Sequence, residues 1–151
     1  MKRLLLAAAM IVMLAAPAAA QTVIVVRHAE KAEQSADPVL SDLGEARAAA
    51  LAETLAGAGV THVFVTPLQR TGLTAGPSAV AAESEPVAVS PEAVVLVVGH
   101  SNTVPDIARA LGATGAAAMD ECEYDRLTVL TLTPTGAHAV TGRYGAINPP
   151  C

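Results

Sequence analysis

The sequence predicts an α/β domain, a three-layer sandwich of helices around a mostly parallel sheet. Three observations carry that expectation. Val23 to Val26 and "AVVLVVGH" (93–100) are continuous apolar runs, the mark of strands buried on both faces. Helical patterns separate these runs, and strands alternating with helices point to strand–helix–strand units. The 131 residues that follow Ala20, out of 151, suffice for one core and one domain.

The elements follow in chain order. Residues 1–20 have the layout of a secretory signal peptide: Lys2 and Arg3, an apolar run from Leu4 to Ala16, then Ala18-Ala19-Ala20 before Gln21. An uncleaved membrane anchor is the alternative, but the run is shorter than the roughly 20 residues that span a bilayer. The expectation is a periplasmic or secreted domain, 21–151, with no stable membrane insertion after cleavage. Val23 to Val26 forms the first strand. "LSDLGEARAAALAETLAGAG" reads as a helix: Ser41 caps it, Asp42 and Glu45 suit its positive end, and Gly57 and Gly59 stop it. Leu43, Arg47, Ala50, Leu51 and Leu55 follow helical spacing.

"THVFVTP" is a second strand closed by Pro67, and a helical pattern returns from Leu68 to Ala82, weakened by Gly72, Gly76 and Pro77. "AVVLVVGH" is the strongest strand. In "SNTVPDIARALG", Pro105 falls in a first helical turn and Gly112 is a stop. "RLTVLTLTP" alternates like a further strand, with "AHAVTGRYG" pairing to it as an antiparallel edge. One stretch breaks the pattern. "EPVAV" (85–89) looks like a strand, yet only Ser90, Pro91, Glu92 and Ala93 separate it from the valine run that starts at Val94, and a parallel crossover needs about a dozen. Either it pairs antiparallel, or it lies outside the sheet, or the region around 83–93 is shortened by a helix.

Charge excludes some partners. Loss of Lys2 and Arg3 with the leader takes the net charge from −5 to −7, which leaves no electrostatic footprint for nucleic acid or anionic lipid. Two cysteines, Cys122 and Cys151, are an even number in an exported chain; a disulfide tying the C-terminal tail and two free thiols are the alternatives. No metal-ligand spacing of cysteines is present, and "DECEYD" (120–125) lacks the glycine and spacing of a calcium loop. It reads as a solvated loop before a strand. His62 and His138 read as structural or exposed.

Three strand ends share a feature: Arg27-His28 after the first, Arg70 just past the second, and His100 after the third. In an open parallel sheet the carboxyl ends of the strands face one edge, where ligands bind. Two arginines and two histidines gathered there repel one another unless an anion sits among them. The guanidinium fork suits phosphate oxygens, and the helix start after His100 adds N–H donors.

Those residues resemble the histidine phosphatase superfamily, with its phosphoglycerate mutase-like fold. Arg27-His28-Ala29 is similar to that family's Arg-His-Gly motif, with Glu30 next. Leu40, Ser41, Gly44 and Ala48 resemble its helix start, with Arg47 in place of a glutamine. Thr66, Arg70 and Thr74 resemble its second motif, and Gly99 to Asn102, "GHSN", its second histidine motif. The resemblance spans roughly Val23 to Arg143.

It implies two-step phosphoryl transfer with no cofactor or metal. His28 attacks phosphorus, and water hydrolyses the phosphohistidine. Arg27, Arg70 and His100 hold the equatorial oxygens, and Ser101 and Asn102 add hydrogen bonds to substrate. Neighbouring cations favour the neutral, nucleophilic imidazole. The implied partner is a phosphorylated small molecule, an envelope sugar phosphate, or inorganic phosphate itself. Two departures stand out. Ala29 replaces glycine, which matters only if the torsions there are special. The usual acid comes from the region that appears shortened, where Glu83, Glu85 and Glu92 lie; Glu30 is the other candidate acid. A phosphate-binding protein without turnover is the alternative reading.

Overall fold

In a computed structural model, described for residues 20–79, 90, 92–149 and 151, eight elements follow one another. They are β1 (Gln21–Arg27), α1 (Asp42–Thr54), β2 (His62–Val65), α2 (Gln69–Ala79), β3 (Val94–Gly99), α3 (Val104–Ala110), β4 (Arg126–Thr133) and β5 (Gly136–Arg143). The leader through Ala19, the Pro86–Val89 stretch, Glu83 and Glu85 lie outside the described residues. No described helix is long and apolar enough to cross a membrane.

The sheet runs in the order β2-β3-β1-β4-β5. β1 and β2 each pair in parallel with β3, whereas β4 is antiparallel to both β1 and β5. The sheet is therefore mixed, and parallel pairing is confined to β2-β3-β1. The strand patterns explain the division. The apolar run Val23 to Val26 of β1 and the apolar β3 are sandwiched between layers, and the alternating "RLTVLTLT" of β4 suits a half-solvated antiparallel region.

Two cores flank the sheet. On one face Ile24, Val26, Leu96 and Val98 pack against Leu51 and Leu55 of α1 and its flank, and Ala75 of α2. On the other, Val23, Val25 and Val95 pack with Val104 of α3 and Met119. Helices thus cover both faces, giving the three layers.

Helix α1 starts where expected, with the Ser41 hydroxyl accepting from the Gly44 N–H at 3.2 Å. Its buried stripe is Gly44, Arg47, Ala48 and Leu51, and Leu43 is 52% exposed. The predicted stripe was therefore one residue out of phase at its start. Contact with the loop after β1 decides the phase: a Cβ on Gly44 would lie 2.3 Å from the Glu30 carbonyl oxygen, so only glycine faces that loop.

Candidate active site

Strand register brings the predicted residues together. Arg27 lies opposite Gly99 in the β1–β3 pairing, and the His28 N–H donates to the Gly99 carbonyl at 2.9 Å. The next residue along each strand is a histidine, and the His28 and His100 rings meet edge to face at 5.3 Å between centroids. β2 ends level with β3, so the Thr66 hydroxyl reaches His100 Nε2 at 3.2 Å.

The His28 side chain is buried, and its Nδ1 lies 2.8 Å from the Ala29 carbonyl oxygen. A carbonyl only accepts, so Nδ1 carries the proton and Nε2 keeps its lone pair. Burial lowers the His28 pKa to about 4; the bond to Ala29 opposes this, and Arg27, Arg70 and His100 reinforce it. The imidazole is neutral at any ordinary pH. Burial, then Arg70 and Arg27, also lower the pKa of His100.

The Ala29 N–H donates to Thr74 Oγ1 at 2.9 Å, and that hydroxyl donates to the Arg70 carbonyl at 2.7 Å. Thr74 therefore ties the loop after His28 to the helix that carries Arg70. Among the described residues only glycines have positive φ, so Ala29 occupies a backbone conformation open to any residue, and the family's glycine is not required there.

Arg27 is held from outside the predicted set. Its Nη1 donates to the carbonyls of Asp120, Glu121 and Glu123 at 3.1, 2.7 and 3.3 Å, and its guanidinium lies 4.0 Å from the centre of the Tyr124 ring. The antiparallel direction of β4 puts the loop before it at the edge where β1 ends, which is how "DECEYD" comes to surround Arg27. That loop is a structural part of the site, not the solvated loop expected from its charge. Arg70 approaches the 31–39 loop instead, with Nη1 3.3 Å from the Ala36 carbonyl and 3.9 Å from Asp37 Oδ1. The Nε atoms of Arg27 and Arg70 are both buried donors without a hydrogen-bond partner. Such orphans are costly unless something accepts from them, and two beside a pair of neutral histidines suit an oxyanion.

The other predicted residues divide. Ser101 donates to Glu121 Oε1 at 2.9 Å, at the same edge, and Asn102 is exposed on the turn leading into α3. Glu30, one of the candidate acids, is bound by an arginine. Arg47 Nε donates to both its oxygens at 2.9 Å, and Arg47 Nη2 reaches Oε1 at 2.7 Å. Burial alone would raise the Glu30 pKa, but the Arg47 hydrogen bonds and charge, helped by Asn148, hold it below the usual carboxylate range. A carboxylate so bound has no proton to give. Of the acidic residues near the shortened region, Glu92 lies exposed in a turn before β3, at the opposite edge of the sheet.

Several contributors were not expected from the sequence. Arg47, 2% exposed, also donates to the carbonyls of Tyr144 and Ala146, tying the C-terminal segment to the loop after His28. Asn148 accepts from the Tyr124 N–H at 2.8 Å. Of the two alternatives for the cysteines, the disulfide is the one formed, Cys122 to Cys151. The available signals were an arginine among the apolar positions of α1, and a tyrosine in a chain with two tyrosines, one phenylalanine and no tryptophan. Among the described residues no group of three His, Cys, Asp or Glu side chains is placed to hold a metal.

Residues 23–92 match the family model of the histidine phosphatase superfamily, branch 1. A comparison of the sequence with curated proteins finds no match. Solved structures share the fold. A protein named as phosphohistidine phosphatase SixA from Nakamurella multipartitia superposes with a TM-score of 0.64 at 21% identity, over 87% of this chain and 99% of its own. A protein histidine phosphatase SixA complexed with tungstate gives 0.58 at 17% identity, over 82% and 95%. Phosphoglycerate mutase from Plasmodium falciparum gives 0.55 at 15% identity, over 87% and 94%.

Proposed function

We propose that this chain, whose residues 23–92 match the family model of the histidine phosphatase superfamily and whose fold is shared by solved structures of phosphohistidine phosphatases, hydrolyses a phosphomonoester through a phosphohistidine on His28, without a metal. One observation carries the reading: His28 is neutral, its Nδ1 proton is committed to the Ala29 carbonyl, and Arg27, Arg70 and His100 stand near enough to the ring to depress its pKa. In the first step Nε2 forms a bond to phosphorus as the ester P–O bond breaks and the leaving oxygen departs with the electron pair. Arg27, Arg70 and His100 hold the equatorial oxygens and offset their charge. Water then attacks phosphorus, the P–N bond breaks, and neutral His28 and phosphate are restored.

Glu30 serves as an anchor in this scheme. Two guanidinium nitrogens of Arg47 hold it ionised against the opposing effect of burial, so protonation of the leaving oxygen falls to solvent or another group, and esters with acidic leaving groups react fastest. The substrate class is a phosphorylated small molecule or envelope sugar phosphate met after export to the periplasm or beyond, as the leader pattern suggests. The test is phosphate release from p-nitrophenyl phosphate with EDTA present. It should be accompanied by a base-stable, acid-labile phosphoenzyme that is lost in His28→Ala. Activity that needs a divalent cation would overturn the reading. The engaged Glu30 also supports a second one, a phosphate-binding protein without turnover. That reading is favoured if phosphate or vanadate raises the melting temperature while no ester is hydrolysed.

A further inference from the structure

Glu121 stands at the mouth of the site and takes part in no step above. Its side chain is 83% exposed, yet both oxygens are engaged: Oε2 accepts from Arg27 Nη2 at 3.2 Å, and Oε1 from Ser101 Oγ at 2.9 Å. Both donors belong to residues assigned to phosphate. Nη1 of Arg27 is spent on three loop carbonyls, so Nη2 and the orphan Nε are what Arg27 has left for a ligand. Glu121 already takes Nη2. A carboxylate and a phosphoryl group offer a guanidinium the same kind of acceptor oxygens, and one donor edge cannot serve both fully.

We propose that Glu121 is a specificity residue that competes with the phosphoryl group for Arg27 and Ser101. Once displaced, it stands beside the leaving group, where its charge disfavours anionic leaving groups and favours cationic or neutral ones. The leaving-group part rests on the hydrolytic reading above; the competition rests only on the anion site.

Displacement is easy because the side chain is exposed and its two contacts are both to side chains. Departure is not, because the next residue, Cys122, is bridged to Cys151 and the flanking carbonyls hold Arg27. Glu121 can therefore rotate away from Arg27 but stays at the mouth. Its charged neighbours do not neutralise it there. Arg27 would be taken by phosphate, Asp120 carries the same sign, and the nearby Arg126 and Arg143 are paired with Glu123 and Asp125.

The test is calorimetric binding. Inorganic phosphate is titrated into the unmodified protein, Glu121→Gln, and Glu53→Gln, which removes the same charge at the far end of α1. Phosphoethanolamine and phosphoglycolate, similar in size and opposite in leaving-group charge, are then titrated into His28→Ala with and without Glu121→Gln, so that turnover does not intrude. Glu121→Gln should tighten phosphate about fivefold, the scale of one hydrogen-bonded charge contact at a surface, and Glu53→Gln should leave it unchanged. The preference for phosphoethanolamine over phosphoglycolate should shrink by about 3- to 5-fold when Glu121 is neutral. Equal or weaker phosphate binding in Glu121→Gln overturns the competition, and an unchanged preference overturns the selectivity. If the unmodified protein binds no phosphate, the anion site and this proposal fall together. Tighter binding by the variant with no hydrolysis of any ester would sink only the hydrolytic reading.

Discussion

Nδ1 of His28 sits 2.8 Å from the carbonyl oxygen of its own neighbour, Ala29. That contact decides which nitrogen can act, because a proton held at Nδ1 leaves Nε2 as the only lone pair available for bonding to phosphorus. Replacing His28 by alanine should lower kcat for p-nitrophenyl phosphate by about a thousandfold or more, as loss of a covalent nucleophile does. It should leave the circular dichroism spectrum unchanged. Retained activity with a phosphoenzyme at another residue would contradict the assignment.

The depressed pKa of His28 gives the pH profile a direction. Burial holds the group at about 4, so the imidazole stays neutral well below the ordinary histidine value near 6.5. The acid limb of kcat/KM should fall near pH 4 rather than near 6.5. The same shift acts on stability. The unfolded chain takes up the proton first, so stability is complete above about pH 6.5 and is lost as pH falls toward 4. Melting temperatures measured between pH 7 and 4 should drop less in His28→Asn than in the unmodified protein.

Glu30 and Arg47 should behave as an anchor. The pair is nearly buried, and Arg47 also holds the carbonyls of Tyr144 and Ala146. Glu30→Gln leaves the guanidinium without its counter-charge and should cost about 3 kcal/mol of stability, at the lower end for a broken buried pair. It should slow aryl and alkyl esters by the same factor. A loss confined to alkyl esters, whose leaving oxygens need a proton, would show instead that Glu30 is the acid.

Thr74 should matter although it touches no substrate. Thr74→Val keeps the shape but removes the acceptor for the Ala29 N–H and the donor to the Arg70 carbonyl. Leaving a buried amide unpaired costs about 1–3 kcal/mol, and the midpoint of urea unfolding should fall accordingly. Because the hydroxyl links the loops bearing His28 and Arg70, kcat should decline as well, with a pH profile of unchanged shape.

The Cys122–Cys151 bridge closes a sequence separation of 29 residues and clamps the loop that holds Arg27. Removing it with paired serine substitutions should cost about 3–4 kcal/mol by loop-closure entropy. KM should rise more than kcat falls, since Arg27 would be less firmly placed. An unchanged KM would mean that the loop keeps its form without the bridge.

Much of the site was legible because its residues are marked locally. Arg27, His28 and His100 stand where apolar strands stop, and parallel register does the rest. What stayed hidden is held by contacts that leave no trace in a side-chain pattern. Arg27 is anchored by main-chain carbonyls more than 90 residues away, and any sequence supplies carbonyls. The direction of β4, which delivers that loop, depends on the path after α3 rather than on the strand's own residues. Glu30 was visible beside the motif, but its partner Arg47 sits on an apolar helical face and read as part of the core.

Gly44 has a consequence for anyone who would remake this protein. Helix α1 and the loop after His28 approach so closely that a single methyl group on Gly44 would meet the Glu30 carbonyl at 2.3 Å, while Ser41 also donates its N–H to that carbonyl at 3.0 Å. The exposed stretch between them, residues 32–36, is free of that constraint. Insertions there should be tolerated, provided the Glu30 carbonyl still meets Gly44 across a gap that admits a hydrogen atom and no more.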